Sequence, residues 1–252
     1  MFARRLLLRC GPLALLGMPG LGVAEGGAQG LHGFAHPLPP LAYSERDQIR
    51  GLFVDLLKEV CAQQAWSLSL EMQPLARAFR SSDHGRRFVV FPLDRGSERA
   101  SLYRWVGPVV QRRVRIYKLS RRSDLHFEGL ALLGEHRIGV NKGTGTHRKL
   151  LDSGLHPDGQ LEVASGYGTA LRMLLAGRTD FLAMNELALA WHLRQLGLPP
   201  ETLSAVASLV DEGGYWFGLA PADEALAERL QQALEQMRID GRLEALKRRY
   251  GL

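Results

Sequence analysis

The spacing of apolar positions changes period repeatedly along this chain, and each change predicts an element. From Leu52 to Cys61 apolar residues recur at helical spacing around Asp55, Lys58 and Glu59, which predicts an amphipathic helix with a carboxylate near its first turn. Trp66 to Met72 alternates like a strand, and Val89 to Leu93 is a continuous apolar run closed by Asp94 and Gly96, the pattern of a buried strand. Leu31 to Ala35 supplies a first strand, weakened by His32 and Gly33, and Pro74 to Arg80 a short helix. The order strand, helix, strand, helix, strand then starts again. His136 to Val140 is a strand, Asn141 to Thr146 a turn feeding a helix to Leu151, Leu161 to Ala164 a strand and Tyr167 to Ala176 a helix. Phe181 leads a buried strand, Leu187 to Leu196 a helix, and Gly214 to Ala220 a further strand. Two amphipathic helices, Glu224 to Arg238 and Asp240 to Tyr250, end the chain, with Leu226, Leu230, Leu234 and Met237 along one face of the first. Such alternation defines an α/β fold, whose ligands sit at the carboxyl ends of the strands.

Composition adds a compartment. At 252 residues and 46% hydrophobic, the chain buries a real core in one large or two small domains. Its net charge of +6 points toward nucleic acid until the positions are read: Arg4, Arg5 and Arg9 lie in a leading segment without acid, so the remainder carries +3, with no basic helix and no interleaved aromatic residues. Nucleic acid is therefore excluded as a partner. The basic start, the apolar stretch from Leu6 to Leu21 and the small residues Gly22 and Ala24 form the pattern of a cleaved signal peptide, residues 1–24, and Arg9 before Cys10 argues against a lipid-modified cysteine. The mature chain keeps one cysteine, Cys61, in an apolar helix, hence no internal disulfide and an inert thiol. An exported, disulfide-free chain fits the periplasm.

Candidate chemistry is sparse. Arg99 follows the buried strand at Val89 to Leu93, where a guanidinium fork can grip a planar anion, although a loop arginine near Glu98 is also an ordinary surface ion pair. The turn Gly143, Thr144, Gly145 and Thr146 exposes backbone N–H groups at a helix start, an anion site or simply a capped helix. Its glycine spacing is not that of a nucleotide loop. Tyr43 follows a proline-stiffened stretch, Pro37 to Leu41, and lines a cleft or packs on its own loop. Tyr215 and Trp216 are candidate apolar walls. None of the eight histidines has metal-ligand spacing, His32 and His36 have no evident carboxylate to orient them, and no serine sits in a nucleophile elbow, so neither a metal nor a cofactor nor a catalytic set is expected.

Taken together, Pro39 to Tyr43, the helix start Gly51 to Leu56, Pro74 to Ala78, and Ser97-Glu98-Arg99 followed by Tyr103 to Pro108 resemble the family 3 extracellular solute-binding proteins. The resemblance implies two lobes joined by two crossings, with lobe 1 over residues 30–116 and 213–252 and lobe 2 over residues 117–212. It implies Arg99 as an anion clamp, Gly143 to Thr146 as donors opposite it, and Asn185 where the family commonly carries an acid for a ligand's amino group. Glu186, one residue on, would face the other way. Five and three places before the clamp the family often has hydroxyl residues; here stand Asp94 and Gly96, so Asp94 either neutralises Arg99 or faces the cleft and selects a cation. The implied function is capture of a small polar solute, an amino acid or related organic acid or amine, by a monomer serving an inner-membrane ABC permease or a sensor. The alternatives are a lyase of the cyclohexadienyl dehydratase kind, with Asp94 and Glu98 as its acid or base, and an orphan ligand sensor.

Overall fold

The computed structural model describes residues 30–74, 77, 87–96, 99–210 and 212–252. The leading segment, most of the helix expected over Pro74 to Arg80, and Ser97 and Glu98 lie outside the described residues. In chain order the elements are β1 (Gly30–Ala35), β2 (Tyr43–Glu45), β3 (Gln48–Arg50), α1 (Leu52–Gln63), β4 (Ser67–Met72), β5 (Phe88–Asp94), β6 (Arg104–Gln111), β7 (Val114–Leu119) and β8 (Ile138–Asn141). They continue with α2 (Gly145–Asp152), β9 (Leu161–Ala164), α3 (Tyr167–Leu175), β10 (Phe181–Asn185), α4 (Glu186–Gln195), β11 (Leu203–Val210), β12 (Gly214–Leu219), α5 (Glu224–Ile239) and α6 (Arg242–Arg249).

Two five-stranded sheets result, with orders β4-β1-β5-β12-β6 and β11-β7-β10-β8-β9. They are built alike. In the first, β1 runs parallel to β4 and β5, and β12 is antiparallel to β5 and β6. In the second, β8 runs parallel to β9 and β10, and β7 is antiparallel to β10 and β11. The strand that enters each sheet from the other, β12 or β7, therefore lies next to one edge strand, and the central strands β5 and β10 correspond. Strand β7 lies wholly in the second sheet, so the first crossing is at Arg112 and Arg113, slightly before the boundary expected at residue 116. The return falls between Val210 and Gly214. The crossings touch, the Arg112 backbone N–H donating to the Gly213 carbonyl at 3.3 Å.

The cores follow the apolar patterns. Strand β5 is buried along Phe88 to Leu93, as expected of a central strand covered on both faces. Helix α1 buries Leu52, Phe53, Leu56, Leu57 and Val60. Phe53, Phe91 and Phe217 form one aromatic cluster, with ring centroids 4.7 to 6.2 Å apart, under α1 in lobe 1. Ile138, Val140, Leu150, Leu161 and Phe181 fill one face of the second sheet. Cys61 is buried and its thiol is pushed up to about 11 by desolvation, which suits an inert packing residue. Gly51 begins α1 at φ 127°, where a Cβ would lie 2.4 Å from the Leu41 carbonyl oxygen, so a glycine lets the proline-rich loop press on the helix start.

The hairpin β2–β3 was not expected. Its turn residues Arg46 and Asp47 both have positive φ, 48° and 61°, the twist a two-residue hairpin needs, but they lack the Asn-Gly or Asp-Gly signature that marks such turns.

Candidate functional site

The carboxyl ends of β1, β5 and β8 meet between the lobes, together with both crossings. His36 follows β1, Asp94 ends β5, Thr144, Gly145 and Thr146 open α2, and Arg112 sits on the first crossing. Tyr215 pairs across β12 with Asp94, which places both side chains on one face of the sheet. Trp216, one residue on, turns to the other face, where the Arg95 guanidinium lies 5.6 Å from its ring centroid. His36, Asp94, Arg112, Thr144 to Thr146 and Tyr215, with Tyr167 from α3, line a cavity of about 20 Å³, space on the scale of one water. The lobes are thus closed on each other.

Asp94 is the hub. Its Oδ1 accepts from Arg99 Nη1 at 2.7 Å, and its Oδ2 lies 3.9 Å from Arg112 Nη2. Both arginine side chains are nearly buried, at 9% and 12% exposure, so these pairs act in a medium of reduced dielectric. On the lobe 2 side, a Cβ at Gly145 would meet Asp94 Oδ2 at 2.0 Å, so only glycine admits the carboxylate to the first turn of α2. Arg112 Nη2 also donates to Thr146 Oγ1 at 3.3 Å. Asp94 pairs with Arg99 and at the same time borders the cavity.

Thr144 is a working N-cap: its Oγ1 accepts from the His147 backbone N–H at 3.1 Å and donates to the Asn141 carbonyl at 2.9 Å. Gly143 is exposed at φ 74°, and its N–H donates to His147 Nδ1 at 3.3 Å, away from the cavity. Gly145 and Thr146 are the members of this turn nearest Asp94 and Arg112. Tyr43 stands apart from the cavity and packs against Trp191 of α4 with ring centroids 5.5 Å apart, a contact between the lobes near the rim.

Asn185 is buried, and both ends of its amide are engaged. Oδ1 accepts from the Leu187 and Ala188 backbone N–H groups at 2.9 and 3.2 Å, capping α4, while Nδ2 donates to the Arg113 carbonyl at 3.2 Å and to Tyr215 Oη at 3.1 Å. It ties α4 to both crossings instead of lining the cavity. Asn185→Ala removes the cap and leaves buried partners unsatisfied; a loss of about 2 kcal/mol in urea unfolding is expected. An unchanged midpoint would refute this role. Glu186 faces elsewhere and accepts from Arg115 Nε at 2.8 Å.

Arg112 and Tyr167 enter the site without a local sequence signal, beside His36 and Tyr215. His36 is buried, its Nδ1 has no hydrogen-bond partner, and desolvation holds its pKa down at about 4; Asp94 opposes that shift and Arg99 adds to it. Tyr215 is pushed up to about 12, chiefly by burial. Burial also raises Tyr167, whose hydroxyl bonds the Asn141 side chain. Both phenols are neutral. The described ionisable groups that line the cavity and carry charge are then one guanidinium, Arg112, and one carboxylate, Asp94, beside the N-terminus of α2. Among the described residues, no group of three side chains converges as a metal site.

Two like-built sheets hinged at paired crossings, with polar groups meeting at strand ends, define a bilobed protein of the periplasmic-binding type. Solved structures with this fold include a histidine kinase sensor domain with similarity to periplasmic binding proteins (TM-score 0.76, 18% identity, 87% of this chain and 94% of that one). Another is an ancestral arginine-binding protein bound to arginine (0.76, 16%, 88% and 98%). A third is an amino acid ABC transporter substrate-binding protein from Streptococcus pneumoniae bound to L-arginine (0.73, 16%, 89% and 95%). No curated relative matches the chain in sequence. The profile of the bacterial extracellular solute-binding proteins, family 3, matches residues 32–252, and the chain belongs to that family.

Proposed function

We propose that the chain captures a small polar solute between its lobes in the periplasm, after loss of its leading segment, and presents it as a monomer to an inner-membrane ABC permease or a sensor. The observation that carries this reading is the convergence of Arg112, Asp94, His36 and the Thr144 to Thr146 turn on one cavity from both lobes and one crossing, with Arg99 paired to Asp94 at 2.7 Å and His36 Nδ1 buried and unpartnered. A hinge of two crossings lets the lobes part, admit a solute and close. A guanidinium, a carboxylate and a helix N-terminus on one lining suit a zwitterionic or anionic solute, an amino acid or a small organic acid, and the sensor and amino-acid-binding neighbours support both routes of use. The lyase alternative has weaker support, because its candidate acid Asp94 is held by Arg99.

The test is a thermal-shift screen of protein unfolded and refolded to strip carried ligand, against amino acids, organic acids, polyamines and opines. A solute at a hundred times its Kd adds about 2.7 kcal/mol, which moves the midpoint by several degrees. A shift with anionic or zwitterionic solutes is expected. Conversion of a screened acid into a new product would replace capture with catalysis.

A further inference from the structure

The two guanidiniums that would hold a solute's carboxylate, Arg99 and Arg112, already face one. Asp94 Oδ1 is 2.7 Å from Arg99, Oδ2 faces Arg112, and the carboxylate abuts Gly145 at the N-terminus of α2 from the opposite lobe. Two guanidiniums and a helix start make an anion subsite by their chemistry. The second lobe shows how unusual the acid is. Its corresponding strand, β10, ends in Asn185, an uncharged amide spent on capping its own helix, whereas β5 ends in a carboxylate that reaches across to the other lobe. What remains beside it is a cavity of about 20 Å³, space on the scale of one water. His36 lines the same cavity and carries a buried Nδ1 without a hydrogen-bond partner.

We propose that Asp94 is a built-in carboxylate that occupies the cleft's own anion subsite, latches the lobes together, and competes with any solute carboxylate, so that it sets which anions the protein accepts and how tightly. This rests on the solute-capture reading and deepens it: the solute class is a carboxylate strong enough to displace Asp94 from Arg99 and Arg112. The internal acid raises the threshold for capture, because only the fraction of molecules with the latch released binds.

Acetate is the side chain that Asp94→Gly removes, and it is the probe. Asp94→Asn serves as a second variant that keeps the shape and loses the charge. Acetate affinity is measured by calorimetry at fixed pH and ionic strength, and lobe separation by small-angle scattering with and without acetate. Asp94→Gly, which vacates the subsite, is expected to bind acetate about tenfold or more tightly than the wild type, and Asp94→Asn, whose amide still fills it, to gain less. Both are also expected to be expanded without acetate and to contract with it, while the unliganded wild type stays compact. Equal acetate affinity in all three proteins, or variants as compact as the wild type before acetate is added, would overturn the latch. So would a wild type whose binding of amines is lost in Asp94→Asn, because Asp94 would then be a cation contact. The two readings fail separately. A wild type that binds nothing in the screen, beside variants that bind acetate and contract, keeps the latch and removes solute capture. A wild type that binds a solute, beside variants with unchanged acetate affinity, does the opposite.

Discussion

Arg99→Ala is expected to lower the free energy of unfolding by about 3 kcal/mol, because it strands the Asp94 carboxylate in a nearly closed cleft. Arg99 is 9% exposed and Asp94 18%, so water reaches neither freely. Arg112, 3.9 Å from the other carboxylate oxygen, keeps the loss from growing larger, and its guanidinium is already shared with Thr146. A buried pair adds little net stability over an apolar replacement, whereas breaking it from one side is costly. The double variant Arg99→Ala/Asp94→Ala is therefore expected to lose less than the sum of the two single variants, since neither charge is then left alone. The single variant is also expected to lose binding of any anionic solute found in the screen. Denaturant unfolding of the three variants gives the cycle. A single variant within about 0.5 kcal/mol of wild type, the scale of a neutral surface change, would place Arg99 outside the network.

The sequence carried the elements better than the site. Runs such as Val89 to Leu93 and Leu52 to Cys61 reveal their structure because burial imposes a period, and helix boundaries such as Tyr167 follow from the same rule. The β2–β3 hairpin was hidden because Arg46 and Asp47 adopt a turn their residue types do not advertise. At the site, Arg99 and Asp94 were legible from their position at the end of a buried strand. Arg112 was not: it sits among Gln111, Arg113 and Arg115, a stretch indistinguishable from a solvated charged surface until the crossing carries it into the cleft. His36 looked unaccompanied because the carboxylate and guanidinium that act on it, Asp94 and Arg99, come from a distant part of the chain. Asn185 was placed correctly at its strand end, yet its position cannot reveal that the amide is consumed by the next helix and by Tyr215. Periodicity reports which face is buried; a site assembled from strand ends in two sheets depends on where those ends meet.

The same meeting of groups makes stability depend on pH. His36 is neutral in the folded protein, with its pKa held at about 4, while in the unfolded chain it titrates at the ordinary 6.5. Between these values the unfolded chain binds a proton that the folded protein refuses, so acid favours unfolding. The His36 contribution is fully present above pH 6.5, is lost as the pH falls, and levels off below pH 4. The loss amounts to about 2 kcal/mol at pH 5 and about 3 kcal/mol at pH 4. Carboxylates elsewhere titrate in part of this window, so the quantity to measure is the difference between the wild type and His36→Gln, which stays neutral throughout. The two are expected to diverge steadily from pH 6.5 to 4, with the wild type falling more steeply. Parallel curves would mean that His36 takes up its proton in the folded state. That would require the attraction of Asp94 to outweigh both burial and the repulsion of Arg99, and thus an Asp94 carboxylate less committed to Arg99 than the 2.7 Å contact implies.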